Sequence, residues 1–78
     1  MNDPNDISSC VEAALNTYFR NLDGEKPRGV YDMVLKCVER PMLAVVMRQA
    51  EGKQTLAAEM LGINRNTLRK KLSEHGLL

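Results

Sequence analysis

The stretch Gln54–Leu72, QTLAAEMLGINRNTLRKKL, decides how this chain is read. Two short amphipathic segments flank Gly62-Ile63-Asn64, and the charged side chains of the second, Arg65, Arg69, Lys70 and Lys71, are all positive. That arrangement predicts two helices joined by a tight turn, the outline of a helix-turn-helix, a device that sets one helix into the major groove of duplex DNA. Ala58 and Gly62 stand four apart, as expected of a small residue and a turn glycine that let two helices cross closely. Ala57, Leu61 and Ile63 on one side meet Leu68 and Leu72 on the other. The two leucines are four apart and so face the same way, inward. Asn64 is suited to cap the second helix.

Fixing the inward face fixes the outward one. Asn64, Arg65 and Arg69 fall at the exposed start of the second helix, with the two arginines on one face at i and i+4. Arginine can take guanine O6 and N7 through two hydrogen bonds, and asparagine can do the same for adenine N6 and N7, so these three are the expected base contacts. Lys70 and Lys71 point toward the flanks, where phosphate is the expected partner. Gln54 and Thr55 open the first helix of the pair, so their side chains and free N–H groups can meet phosphate, with Lys53 beside them as a further cation.

The charge of the whole chain hides this. A net charge of +1 divides into an acidic body, with six Lys/Arg against eight Asp/Glu over residues 1–52, and a basic tip, with five against two over residues 53–78. A local excess is what matters for docking on phosphate. Chemistry on a substrate finds no support. Cys10 and Cys37 lack metal-ligand spacing and read as buried, reduced thiols, and His75 reads as a helix-end residue with no nucleophile or carboxylate pair beside it. No cofactor, metal or small-molecule substrate is expected. No apolar run reaches the ~20 residues of a membrane span and the N-terminus lacks the pattern of a signal peptide, which predicts a cytoplasmic protein.

Upstream, the pattern is all-α. Residues 1–6, with Asp3-Pro4 as a breaker, are expected to be disordered. A first helix is predicted from about Ser8 to Asn21, with Ser9 and Glu12 at capping-box spacing, Asp6 as a competing cap, and an apolar stripe through Ile7, Val11, Ala14, Leu15, Tyr18, Phe19 and Leu22. Asp23-Gly24 ends it. A second helix is predicted from Val30 to Ala50, apolar around most of its circumference, kinked at Pro41 and stopped by Glu51-Gly52 with Gly52 in the left-handed position. The first helix and the C-terminal module can cover only part of that surface. The remainder predicts a homodimer built on this helix, with Val34, Val38, Met42, Val46 and Met47 as its interface. Residues 7–50 are then dimerisation helices and residues 51–78 the DNA-binding module of one compact domain.

The string Gly52–Leu72, GKQTLAAEMLGINRNTLRKKL, closely resembles the C-terminal module of the Fis family, the factors for inversion stimulation. The same type of module closes many bacterial enhancer-binding activators. The resemblance extends more loosely over residues 7–78, including the proline of the second long helix. It implies an intertwined homodimer carrying two paired helix-turn-helix units, closer together than one turn of DNA, so that the duplex must bend and degenerate sites are selected by deformability. It implies DNA contact by Asn64, Arg65, Thr67, Arg69, Lys70, Gln54 and Thr55, with Thr67 joining the phosphate set. Where the family usually has asparagine this chain has Lys53, which replaces that contact by a cation. Only about six polar residues precede the first helix, so the β-hairpin arm through which the best-known members contact a DNA invertase is expected to be missing or vestigial.

The resulting expectation is a nucleoid-associated DNA-bending regulator of transcription, not an enzyme, with RNA polymerase as a further candidate partner. Two other readings stand beside it. One is the detached C-terminal domain of an enhancer-binding activator. The other is a dimerisation or adaptor module whose basic tip takes an acidic protein.

Overall fold

The computed structural model describes residues 4–78. It contains four helices and, among the described residues, no strand: α1 (Pro4–Arg20), α2 (Val30–Gln49), α3 (Gln54–Leu61) and α4 (Arg65–Glu74). The chain divides into two compact units, residues 1–34 and 35–78. The division falls inside α2, not after it, because the C-terminal part of that helix is packed into the helix-turn-helix.

In the first unit α1 starts at Pro4, a full turn before the sequence reading. Proline breaks a helix only where an N–H is needed; in the first turn the N–H has no intrahelical partner to lose. Asp6 follows in that first turn, where a negative charge suits the positive end of the helix. Ser9 and Glu12 therefore lie inside the helix rather than at its cap. The disorder expected for residues 1–6 does not extend to positions 4–6, and positions 1–3 lie outside the described residues. Of the apolar stripe, Val11, Leu15, Tyr18 and Leu22 are half-buried, while Ile7 and Phe19 are exposed. Tyr18 and Phe19 meet edge to face with ring centroids 5.4 Å apart.

The second unit holds the core. Leu43, Ala50, Ala57, Ala58, Leu68 and Leu72 are buried, with Val46, Met47, Leu61, Ile63 and Leu77 packed against them. Three helices thus share one cluster: α3 and α4 pack on each other, and the face of α2 carrying Leu43, Val46 and Met47, with Ala50 just past its end, closes the third side. Helix α2 runs unbroken through Pro41. The internal contacts expected of Ala57, Leu61, Ile63, Leu68 and Leu72 are all present.

Each helix of this unit ends in the same way. Gly52 N–H reaches Met47 C=O at 2.9 Å, Ile63 N–H reaches Ala58 C=O at 3.0 Å and Leu77 N–H reaches Leu72 C=O at 2.8 Å. These are the six-to-one bonds of Schellman motifs, whose preceding residue takes the left-handed conformation. Gly62 (φ 75°) and Gly76 (φ 69°) fill that position for α3 and α4, but for α2 it falls to Glu51 (φ 55°), with Gly52 (φ 80°) one step beyond. The sequence reading had placed Gly52 there, one residue late. Gly62 is required by its backbone conformation alone, since a Cβ built on it would meet nothing within 4 Å; Ala58 is the small residue of the crossing. Both cysteines are free and exposed in the single chain, in place of the buried thiols expected.

The two ends make opposite predictions. Gly62→Ala puts a side chain into a left-handed position and lowers stability by about 1 kcal/mol, whereas Glu51→Gly relieves the same strain and raises it by a similar amount. Urea unfolding followed by helical circular dichroism measures both; equal signs for the two substitutions contradict this account of the helix ends.

Candidate nucleic-acid interface

The outward face of α4 is set by its inward one. Leu68 and Leu72 are fully buried, one helical turn apart, and lock the rotation of the helix about its own axis. Arg65, Asn66, Thr67, Arg69 and Lys70 are consequently exposed. Among the described residues no acidic side chain of α3 or α4 pairs with Arg65, Arg69 or Lys70. Arg65 and Arg69 lie on one face, four residues apart, and Lys70 follows Arg69 on its flank. Asn64 caps the helix as its residue type suggested, its Oδ1 accepting the Asn66 N–H at 2.7 Å. That bond occupies the oxygen a two-point contact with adenine would use, so the structural duty of Asn64 is plain and a base contact must share it.

At the start of α3, Lys53 takes the N-cap position in extended conformation (φ −85°, ψ 108°) with no side-chain cap bond. The first N–H groups of α3 are therefore left open beside the exposed Lys53 and Thr55 and the half-buried Gln54. Open amides at the positive end of a helix, next to a cation, form a site for an anion such as phosphate.

Lys71 is not part of that outward set. Its Nζ lies 2.7 Å from Glu39 Oε2, across from α4 to α2. The other carboxylate oxygen, Oε1, is 2.9 Å from Nε2 of His75, whose side chain is only 10% exposed. Since an ionised carboxylate only accepts, the imidazole carries its proton on Nε2. Arg40, the next residue of α2, donates through Nη1 to the His75 carbonyl at the C-cap of α4. Lys71, expected to meet phosphate, is thus engaged in a tether within the chain. Its partners Glu39 and Arg40 lie on α2. No local pattern marks them, because 32 residues separate Glu39 from Lys71.

The tether shifts both ends electrostatically. The hydrogen bond from Lys71, and after it the one from His75, holds the Glu39 carboxyl below its ordinary range, and Glu39 in turn raises Lys71. Among the described residues no cluster of histidine, cysteine or carboxylate side chains could hold a metal ion, and no helix is long and apolar enough to cross a membrane.

On α2, the residues expected at a dimer interface separate into two faces. Val46 and Met47 are packed into the core of their own chain, and Val34 is half-buried in the first unit. Val38 and Met42 are exposed, at 37% and 44%, and so are Leu35 and Val45, at 46% and 45%. Leu35, Val38, Met42 and Val45 follow one another at steps of three, four and three residues, the seam spacing of paired helices.

Comparison with known proteins places this arrangement among relatives. Residues 34–75 match the family model described as bacterial regulatory protein, Fis family. The chain is similar to a protein of Ralstonia nicotianae described as a Fis-like DNA-binding protein, 61% identical over 74 residues, or 95% of this chain and 96% of that one. A protein of Neisseria meningitidis serogroup A with the same description is 59% identical over 73 residues, covering 94% of this chain and 92% of its own. The DNA-binding protein Fis of Glaesserella parasuis is 54% identical over 67 residues, 86% of this chain and 68% of that protein.

The Glu39 tether has a pH signature. A carboxyl held below its ordinary range stabilises the fold fully above that range, and the contribution disappears as the pH falls through the lowered value. A raised lysine contributes fully below its ordinary range, and the contribution is lost as the pH rises through the raised value. Unaltered protein is therefore more stable than Glu39→Gln at neutral pH, by a small margin because both partners are partly exposed. The margin shrinks as the pH falls below the ordinary carboxylate range and closes only below the lowered value, where the carboxyl is protonated in either state. Urea midpoints for the two proteins across this range test it; a margin independent of pH rules the tether out as its source.

Proposed function

This chain belongs to the Fis family of bacterial regulatory proteins, and from that premise we propose that two copies of it bind and bend duplex DNA as a regulator of transcription in the nucleoid. It acts by binding, not by chemistry on a substrate. The observation that carries this reading is the division of α4 into a buried leucine edge and an uncovered cationic face, with Arg65, Arg69 and Lys70 turned to solvent. Arg65 and Arg69 are suited to base edges in the major groove. Lys70, Thr67 and the open start of α3 with Lys53, Gln54 and Thr55 are suited to the phosphates on either side.

The second copy is needed to cover α2. Four apolar side chains in a seam on a helix whose other face is already spent on its own core form a surface that pairing with an identical helix would bury. Ile7 and Phe19 of α1 and Tyr31 at the start of α2 are also exposed and add to what a partner chain covers. A two-fold dimer presents two recognition helices to one duplex and calls for a site with matching symmetry. Where the helices stand closer than a DNA turn, bending is the cost of engaging both, and the stiffness of the intervening sequence enters the choice of site.

Equilibrium binding to duplex DNA over a series of salt concentrations tests the reading. The logarithm of the association constant should fall with the logarithm of salt at about 0.9 per neutralised phosphate, and circularly permuted probes should report a bend in the same complexes. Lys70→Ala should lower that slope by about one per subunit, while Lys71→Ala leaves it unchanged because its charge is spent on Glu39. Arg65→Ala should cost about 1–3 kcal/mol and relax preference at one position in each half-site; a uniform loss over all sequences assigns Arg65 to phosphate.

The dimer has its own test. Val38→Asp or Met42→Asp should yield monomers by sedimentation with helical content retained, since neither side chain belongs to the buried cluster. A variant dimer of unchanged affinity shows that the subunits meet elsewhere.

A further inference from the structure

The same carboxylate that withdraws Lys71 from the DNA face joins the two functional surfaces of the second unit. Glu39 lies on α2 beside the seam residue Val38, and it grips α4 through Lys71 and His75, two residues four apart on the last turn. Arg40 adds a third polar contact from the same turn of α2, to the His75 carbonyl. We propose that Glu39 is a positioning residue: by clamping the C-terminal end of α4 to the dimerisation helix, it sets the distance between the two recognition helices and so the spacing and bend of the DNA that the dimer accepts. This rests on the DNA-binding dimer proposed above.

The argument is one of direction and leverage. The apolar contacts of Leu43, Leu68 and Leu72 hold α4 against its neighbours, but burial is not directional and small rocking motions change it little. Hydrogen bonds weaken steeply with misalignment, so three of them at one end of a helix define its angle. Helix α4 has 10 residues, about 15 Å at the usual rise, with the clamp at one end and Arg65 at the other. Rocking by about 10° about the clamped end carries Arg65 by about 3 Å. Two subunits rocking in opposite senses alter the separation of their arginines by roughly 5 Å, more than the ~3.4 Å between neighbouring base pairs. Slack at Glu39 is therefore enough to change the register in which the dimer meets its two half-sites.

Both carboxylate oxygens are committed, and the partners are partly shielded, with side-chain exposures of 22% for Glu39, 34% for Lys71 and 10% for His75. The lowered acidity range of Glu39 agrees with a carboxylate that stays ionised and bound at neutral pH. Neither Lys71 nor His75 is available to read bases while it is so held.

The test separates position from affinity. A duplex library with a randomised core is enriched by the unaltered dimer. The winning duplex is then remade with one base pair inserted or deleted between its half-sites. Unaltered protein should prefer the original spacing. Glu39→Gln, which keeps the shape and removes the charge, should narrow that preference by roughly two- to fivefold and broaden the distribution of bend angles. Its sedimentation as a dimer should match the unaltered protein.

Lys71→Gln breaks the same bond from the other side and should give the same result. The double substitution should add little to either single change, since both remove one interaction. A merely structural role would lower stability and leave the spacing profile as it was. If either single variant folds, dimerises and retains the original spacing preference and bend, the proposal is overturned. Failure of the unaltered protein to bind any duplex would overturn the DNA-binding reading itself, a separate outcome.

Discussion

The packing of Leu68 and Leu72 into the core of the second unit is the constraint on which everything else depends. A helix with four cations in the eight residues from Arg65 to Leu72 has no intrinsic front or back; it acquires one only because two leucines a turn apart must leave water. Their burial turns Arg65, Arg69 and Lys70 outward together. Ala57 and Ala58 on α3 allow the approach, and Leu43 on α2 with Ala50 just past its end closes the cluster. A two-helix unit this small buries too little apolar surface to hold its own crossing angle. The third helix, α2, makes the motif rigid, and because it also carries the exposed seam it ties α4 mechanically to that seam.

Much of this was legible in the sequence, and the limits of legibility have physical reasons. The leucines, the alanines, the Asn64 cap and the Gly62 turn are local signals, read within one or two helical turns of each other. Each holds in the structure. Helix α2 was harder, because it is apolar on two faces at once. Periodicity showed that it must be covered on several sides without showing which residues face the partner and which face the chain's own core. Val46 and Met47 were therefore expected at a dimer interface but pack internally, while Leu35 and Val45 were passed over and lie exposed. The start of α1 at Pro4 and the left-handed Glu51 each differ by a small shift along the chain, where competing caps and stops sit within a few residues of one another. The Glu39 tether lay beyond reach: an ion pair across 32 residues leaves no periodic trace, and a lysine beside three outward cations reads as a fourth.

That fourth cation bears on how a chain of nearly balanced charge can meet a polyanion. Solvent-exposed charges more than about 8 Å apart are largely screened at physiological salt, so net charge over the whole molecule counts for little at the point of contact. What counts is the cluster within one or two turns of α4. Arg65 and Arg69 are neighbours on a single face, and the positive end of the helix dipole lies beneath them at the same terminus. Glu39 neutralises the cation furthest along the helix while leaving these in place. The positive potential is thereby concentrated at the end of α4 that is suited to enter a groove, and the opposite end, bound through Lys71, His75 and Arg40, is given over to holding that entry at a fixed angle.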